Sequence, residues 1–97
     1  LDIQAGVTLE STVAVSSNQL SAQLNGETIV LNLQSGVYFG LTDVAAHIWS
    51  LVQQPTTCAA VVAAILAEYE IDPSQAEADV MQFVEKMQGL GLIHVRA

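Results

Sequence analysis

The sequence predicts an α+β fold: a winged helix-turn-helix-like layout with a three-stranded antiparallel sheet followed by three helices. Three observations carry this. Asn25-Gly26, the strongest two-residue hairpin signal, separates the alternating segments Leu20–Leu24 and Thr28–Leu33. Between Gly36 and Leu51 the hydrophobic period changes from two to that of a helix, with no linker between them. Beyond Pro55, two more helical patterns each begin at a capping residue.

Residues 1–11 alternate weakly at Val7 and Leu9 and read as a loosely ordered lead-in or a short edge strand. The β-branched run from Thr12 to Ser17 is compatible with extended chain, and Ser17-Asn18 marks a turn. The return strand Thr28–Leu33 places Ile29, Leu31 and Leu33 on one face. Gln34-Ser35-Gly36 then turns the chain into Val37–Leu41, where Val37, Phe39 and Leu41 alternate with Tyr38 and Gly40. A three-stranded meander with one bare apolar face needs a cover.

The helices supply it. The first is expected from about Asp43 to Val52, capped by Thr42 or Asp43, with Val44, Ile48, Leu51 and Val52 on one stripe. Trp49 falls one position off that stripe. Pro55 stops the helix. Thr56 or Thr57 caps a second, roughly Cys58 to Tyr69, with Val61, Val62, Ile65, Leu66 and Tyr69 on its apolar side. Asp72-Pro73-Ser74-Gln75 opens the third as a capping box with proline at the first helical position. Ala76, Val80, Phe83, Val84, Met87 and Leu90 share one side of it, and early Glu77 and Asp79 with late Lys86 complement the dipole. Gly89 and Gly91 flank its end, and Leu92 to Val95 leaves as an extended tail. The expectation is one domain: lead-in over 1–11, sheet over 12–41, helical part over 42–93.

Composition narrows the function. With 97 residues, 52% hydrophobic and 12% charged, the chain can build one core and is not a disordered segment. Lys86 and Arg96 stand against ten acidic residues, a net charge of −8. A nucleic-acid binder neutralises phosphates with several Lys and Arg, and anionic lipid asks the same. Both partners are therefore disfavoured. No apolar run approaches the roughly 20 residues of a membrane span. No basic segment precedes an apolar stretch, so no signal peptide is visible and a soluble, cytoplasmic domain is expected.

No catalytic, cofactor or metal site can be read. Cys58 is the only cysteine, so no internal disulfide forms. At the start of a helix its thiol pKa would be lowered by the dipole, although a small half-buried residue is the plainer reading. His47 and His94 lack the spacing of a metal pair, and His47 is expected on the exposed side of its helix. There is neither a phosphate-cradling glycine motif nor a serine in a nucleophile elbow. An all-helical carrier protein conflicts with the β-rich first half.

The stretch NGETIVLNLQSGVYFGLTDVAAHIWSLV, the short Pro/Thr linker, a second helix ending in Glu-Tyr, and Asp79-Val80…Phe83-Val84 closing on Gly89-Leu90-Gly91-Leu92-Ile93 together form an ordered set. That set, from about Val13 to Ile93, resembles the PqqD-like recognition domains that serve ribosomally made, post-translationally modified peptides. The nearest likeness is to the stand-alone leader-binding proteins of lasso-peptide pathways. Two positions depart from the pattern. Thr42 stands where many members carry Asn, and both residues cap helices. Gly89-Leu90-Gly91 stands where longer charged residues are usual, so a frayed last turn is expected.

The resemblance implies a non-catalytic adaptor. Members bind the leader segment of a precursor peptide as an added antiparallel strand and present the precursor to a separate leader protease and macrocyclase. Carried over by position, the edge is Val37, Tyr38, Phe39, Gly40 and Leu41, and the groove draws on Asp79, Val80, Phe83, Val84 and Met87. Strand addition has a physical basis: an unpaired edge offers main-chain hydrogen bonds and alternate pockets select side chains. By period alone, Phe39, Leu41, Trp49 and Leu90 belong to the core. Tyr38, Phe83 and Met87 suit groove or other surfaces equally, and Asp79 suits a solvated helix face. Other readings stay open at this point: a winged-helix regulator disfavoured by the charge, a peptide chaperone serving a different modifying enzyme, or a subunit completing a protease's substrate channel.

Overall fold

The computed structural model describes residues 6–96. Strands β1 (Thr12–Val15), β2 (Gln19–Leu24), β3 (Glu27–Asn32) and β4 (Tyr38–Leu41) run into helix α1 (Asp43–Leu51). The short strand β5 (Thr56–Thr57), helices α2 (Cys58–Glu68) and α3 (Pro73–Gly89), and strand β6 (Ile93–Arg96) follow. This is the expected α+β, winged-helix-like arrangement, and the helix limits fall within about a residue of those read from the period. Among the described residues, no helix is long and apolar enough to cross a membrane.

The strands differ from expectation in one respect: they make two sheets. The meander β2-β3-β4 is one, and its hairpin turns on Asn25 and Gly26, both at positive φ (52° and 80°), the signature of a primed two-residue turn. The other has the order β5-β1-β6, with β1 antiparallel to both neighbours. The tail expected to leave the domain instead pairs Ile93 with Val15 and Arg96 with Thr12. Local periodicity carries no information about a pairing between the two ends of a chain. Of the lead-in, residues 1–5 lie outside the described range, and the part next to β1 is pinned: Ala59 and Cys58 donate their amides to the carbonyls of Leu9 and Ser11 at 2.9 and 3.1 Å.

The buried face of β3 is also the opposite of the one expected. Thr28, Val30 and Asn32 are buried, while Ile29 and Leu31 are half-buried and Leu33 is exposed. The register explains this. Thr28 lies opposite Leu41 and Val30 opposite Phe39, and paired residues share a face. Once Phe39 and Leu41 turn inward, Thr28 and Val30 must follow. Gln23 Nε2 donates to the Thr28 hydroxyl at 3.0 Å, which offsets part of the cost of turning a hydroxyl inward.

The core joins both sheets to all three helices. Val13, Val30, Leu41, Ile48, Trp49, Val52, Cys58, Val61, Ile65, Ala76, Val80, Val84, Met87, Leu92 and Ile93 are buried together. Trp49 is a core residue, as expected, although it falls one position off the apolar stripe of α1. So is Cys58, in line with its plainer reading as a small buried residue, and burial pushes its thiol pKa up in spite of its place at a helix start. His47 is half-buried, its ring 5.7 Å from that of Tyr69, instead of fully exposed.

The helix ends are individually determined. Thr57 caps α2 by accepting the Ala60 amide at 3.1 Å. Asp72 caps α3 by accepting the Ser74 amide at 3.1 Å and the Ser74 hydroxyl, and these bonds hold its carboxyl below the usual range. Gln75 Nε2 donates forward to Asp79 Oδ1 at 2.8 Å, and among the described residues no bond from the Asp72 amide to the Gln75 side chain completes a capping box. Thr42 occupies the N-cap of α1 without a side-chain bond, and Asp43 enters the helix at a φ of 52°. The threonine thus holds the cap position without capping through its side chain.

At the far end of α3 no fraying occurs. Gly91, at a φ of 77°, donates to the Gln88 carbonyl at 3.0 Å and Leu92 donates to the Met87 carbonyl at 2.9 Å. These are the two bonds of a Schellman motif, and they satisfy carbonyls that a helix end otherwise leaves open.

Candidate functional site

Strand β4 is an edge. It pairs with β3 on one side, and among the described residues nothing pairs with the other. The hydrogen-bond parity of this edge follows from the hairpin. A two-residue loop is closed by a pair that exchanges both its bonds, here Leu24 and Glu27, so Glu27, Ile29 and Leu31 point their main-chain groups at β2. Thr28, Val30 and Asn32 therefore point theirs at β4, as the Asn32 amide to Val37 carbonyl bond of 2.9 Å bears out. On β4 itself, Phe39 and Leu41 face β3, which leaves the amides and carbonyls of Tyr38 and Gly40 directed at the free edge.

The side chains sort the same way. Leu41 is buried and Phe39 half-buried on the helix side, whereas Tyr38 is 68% exposed on the outer face. Val37, just before the strand, is also exposed. Gly40 lies beneath a neighbouring carboxylate: a Cβ there would sit 2.8 Å from Glu27 Oε2. That contact involves the end of a flexible side chain.

Leu41 leads directly into α1, and the first turn of α1 opens onto a groove of about 320 Å³. Val44, Ala45 and Ile48 form one wall and Asp79, Gln82, Phe83 and Lys86 of α3 the other. Apolar carbon from Val44, Ile48 and Phe83 makes the floor, with a carboxylate and an ammonium on the α3 rim. Asp79 Oδ1 already accepts the Gln75 amide, so the carboxylate keeps its second oxygen available.

The residues singled out from sequence divide at this point. Asp79 and Phe83 line the groove. Val80, Val84 and Met87 do not: all three are essentially fully buried beneath it, packed in the core, and they position the wall from behind. Val44, Ala45, Ile48, Gln82 and Lys86 were not singled out. For α3 the signal was present, since 79, 82, 83 and 86 follow the i, i+3, i+4, i+7 spacing of one helix face. For α1 it was hidden, because Val44 and Ile48 also belong to the core-facing stripe. Among the described residues, no three His, Cys, Asp or Glu side chains are grouped to hold a metal ion.

One polar cluster fixes the sheet against α3. Buried Asn32 donates from Nδ2 to the Leu90 carbonyl at 3.0 Å, and its Oδ1 accepts from the amides of Gln34 and Ser35 at 2.9 and 3.2 Å. Asn18 Nδ2 approaches the same oxygen at 3.3 Å. Ser16 Oγ donates to the Gly91 carbonyl at 2.8 Å, and the Ser16 amide donates to that of Leu92 at 2.9 Å. The turn that launches β4 and the end of α3 are thereby tied to the same few groups.

The molecule is thus an α+β domain with a free sheet edge that runs into a helix-walled groove. The chain belongs to the PqqD family: the model for coenzyme PQQ synthesis protein D (PqqD) matches residues 27–93. Two solved structures are similar to it. TbiB1 in complex with the TbiA(beta) leader peptide is 34% identical, with a TM-score of 0.77 over 84% of this chain and 94% of that one. A lasso peptide synthetase B1 complexed with the leader peptide is 26% identical, with a TM-score of 0.76 over 84% of this chain and 96% of that one. A comparison with curated protein sequences gives no match. The family expected from the residues is the family found.

Proposed function

We propose that this chain is a non-catalytic adaptor that captures the leader segment of a ribosomally made precursor peptide in a lasso-peptide pathway. The leader adds to β4 as a fourth antiparallel strand of the β2-β3-β4 sheet. Alternate leader side chains point inward, towards Phe83, Val44 and Ile48, and Asp79 and Lys86 supply polar partners at the rim. The precursor is then handed to a separate leader protease and macrocyclase, which carry the chemistry.

The observation that carries this reading is the free edge at Tyr38 and Gly40, continuous in the chain with the mouth of the groove. The leader-bound state of the two similar structures supports it. So does the charge: at −8 the chain is unsuited to nucleic acid, the ligand usual for a winged-helix layout. Main-chain bonds and apolar pockets give such a complex most of its affinity, and both are insensitive to ionic strength.

The test is fluorescence anisotropy of a labelled leader peptide, taken from a precursor encoded beside this chain, at low and moderate salt. Saturable binding that survives added salt is expected. Tyr38→Pro removes a donor that points at the free edge and takes no bond from β3, so the variant should fold and lose binding about tenfold or more. Unchanged affinity in a folded Tyr38→Pro variant would mean that the peptide does not pair with this edge. Absence of binding by the folded wild type would leave only the architecture in common with the leader-bound structures.

A further inference from the structure

The opposite edge of the same sheet is also unpaired. Strand β2 is six residues long, pairs with β3 in unbroken register from Gln19 to Leu24, and has no partner beyond it among the described residues. Edge strands are ordinarily protected by a charge, a proline, a bulge or brevity. Gln19-Leu20-Ser21-Ala22-Gln23-Leu24 has none of these. It also exposes two leucines, Leu20 at 61% and Leu24 at 60%.

We propose that β2 is the contact between two copies of this chain, joined edge to edge about a two-fold axis through Ala22. A two-fold contact must be complementary to itself. Leu20-Ser21-Ala22-Gln23-Leu24 meets that condition, because it reads leucine, polar, alanine, polar, leucine in both directions. With Ala22 opposite Ala22 of the second copy, each Leu20 lies opposite a Leu24 on the outer face, and each Ser21 opposite a Gln23 on the inner face. A shift of one residue would set each leucine against a polar neighbour, so the face pattern selects the register.

The main chain agrees with this register. Leu24, Ala22 and Leu20 spend their amides and carbonyls on β3, which leaves those of Ser21 and Gln23 directed outward. Antiparallel pairing about Ala22 matches each outward Ser21 with an outward Gln23 and puts the two alanines at a pair without hydrogen bonds. There is room below the strand as well: a shallow groove of about 160 Å³ lies between β2 and α1, lined by Ser21, Gln23, Trp49, Ser50 and Gln53. The product is one six-stranded sheet with a β4 edge at each far end. Both peptide-docking edges stay open, so this contact is independent of the function proposed above.

Charge opposes the contact only at long range, since the strand is uncharged while each chain carries −8. Added salt therefore strengthens it. Sedimentation velocity over a wide concentration range, at low and at moderate salt, is the test. A concentration-dependent dimer that tightens with salt is expected. Ala22→Lys and Ala22→Glu each place like charges opposite one another and weaken the dimer about tenfold. Mixing the two variants restores it, which a loss of folding would not allow.

Register has its own readout. Under a mild oxidant, Ala22→Cys chains become disulfide-linked dimers, because paired Cα atoms without hydrogen bonds lie within disulfide reach. Ser21→Cys chains do not, since Ser21 faces Gln23, and native Cys58 is buried. A wild type that remains monomeric to its highest soluble concentration overturns the proposal. So does an Ala22→Lys variant that dimerises as well as the wild type, or a dimer that the leader peptide dissociates.

Discussion

Asn32 does the work of several residues at once. Its amide bonds the end of α3 and its oxygen organises the turn into β4, both from a position only 6% exposed. Asn32→Ala leaves the Leu90 carbonyl and two turn amides without their partner, and each unsatisfied buried group costs about 1–3 kcal/mol. A loss of about 2–4 kcal/mol in urea denaturation is expected, and a loss under about 0.5 kcal/mol would mean that water replaces these bonds freely. From sequence, Asn32 was simply a polar position in an alternating strand. Nothing local reveals that a residue's partners lie 58 positions away. Cys58 makes a related point. Its place at the start of α2 was legible and suggested a lowered pKa, but desolvation by the core outweighs the dipole and raises it. Alkylation of the native thiol at mildly alkaline pH should therefore be far slower than that of the unfolded chain. Equal rates would show that the core opens readily around it.

At the scale of elements, the helices were legible because their signals are local: Pro55, the caps Thr57 and Asp72, and apolar spacing. Strand faces were less so. Ile29, Leu31 and Leu33 alternate as well as Thr28, Val30 and Asn32 do, and only the register with β4 decides between them. The candidate groove suffered in the same way. Phe83 and Asp79 were found, but Val80, Val84 and Met87 share the α3 surface only as a list of apolar letters, and the fold places them inside. The start of α3 supplies a prediction of its own. The Asp72 carboxyl, held low by bonds from Ser74, titrates below its unfolded value, so its contribution is present above the usual carboxylate range. It is lost as pH falls through the lower folded pKa. Asp72→Asn, which keeps the cap but not the charge, should flatten thermal stability against pH in that acid range. An identical profile for wild type and variant would remove Asp72 as a source of it.

For the whole molecule, the fold class followed from the order of strands and helices, and the pairing of the ends did not. The Schellman turn at Gly91 redirects the chain from α3 into β6, where Ile93 pairs with Val15 of β1. Together with the bond from Asn32 to the Leu90 carbonyl, that closure ties the end of α3 to the turn that launches β4, so the groove wall and the free edge are connected. The account of function rests on that edge accepting a strand. Amide hydrogen exchange of the domain with and without leader peptide, resolved residue by residue, tests it most directly. Phe39 and Leu41 are already bonded to β3 and should change little, whereas Tyr38 and Gly40 should become strongly protected. Protection confined to α1 and α3, with Tyr38 and Gly40 still exchanging freely, would contradict strand addition and leave the groove alone as the binding site.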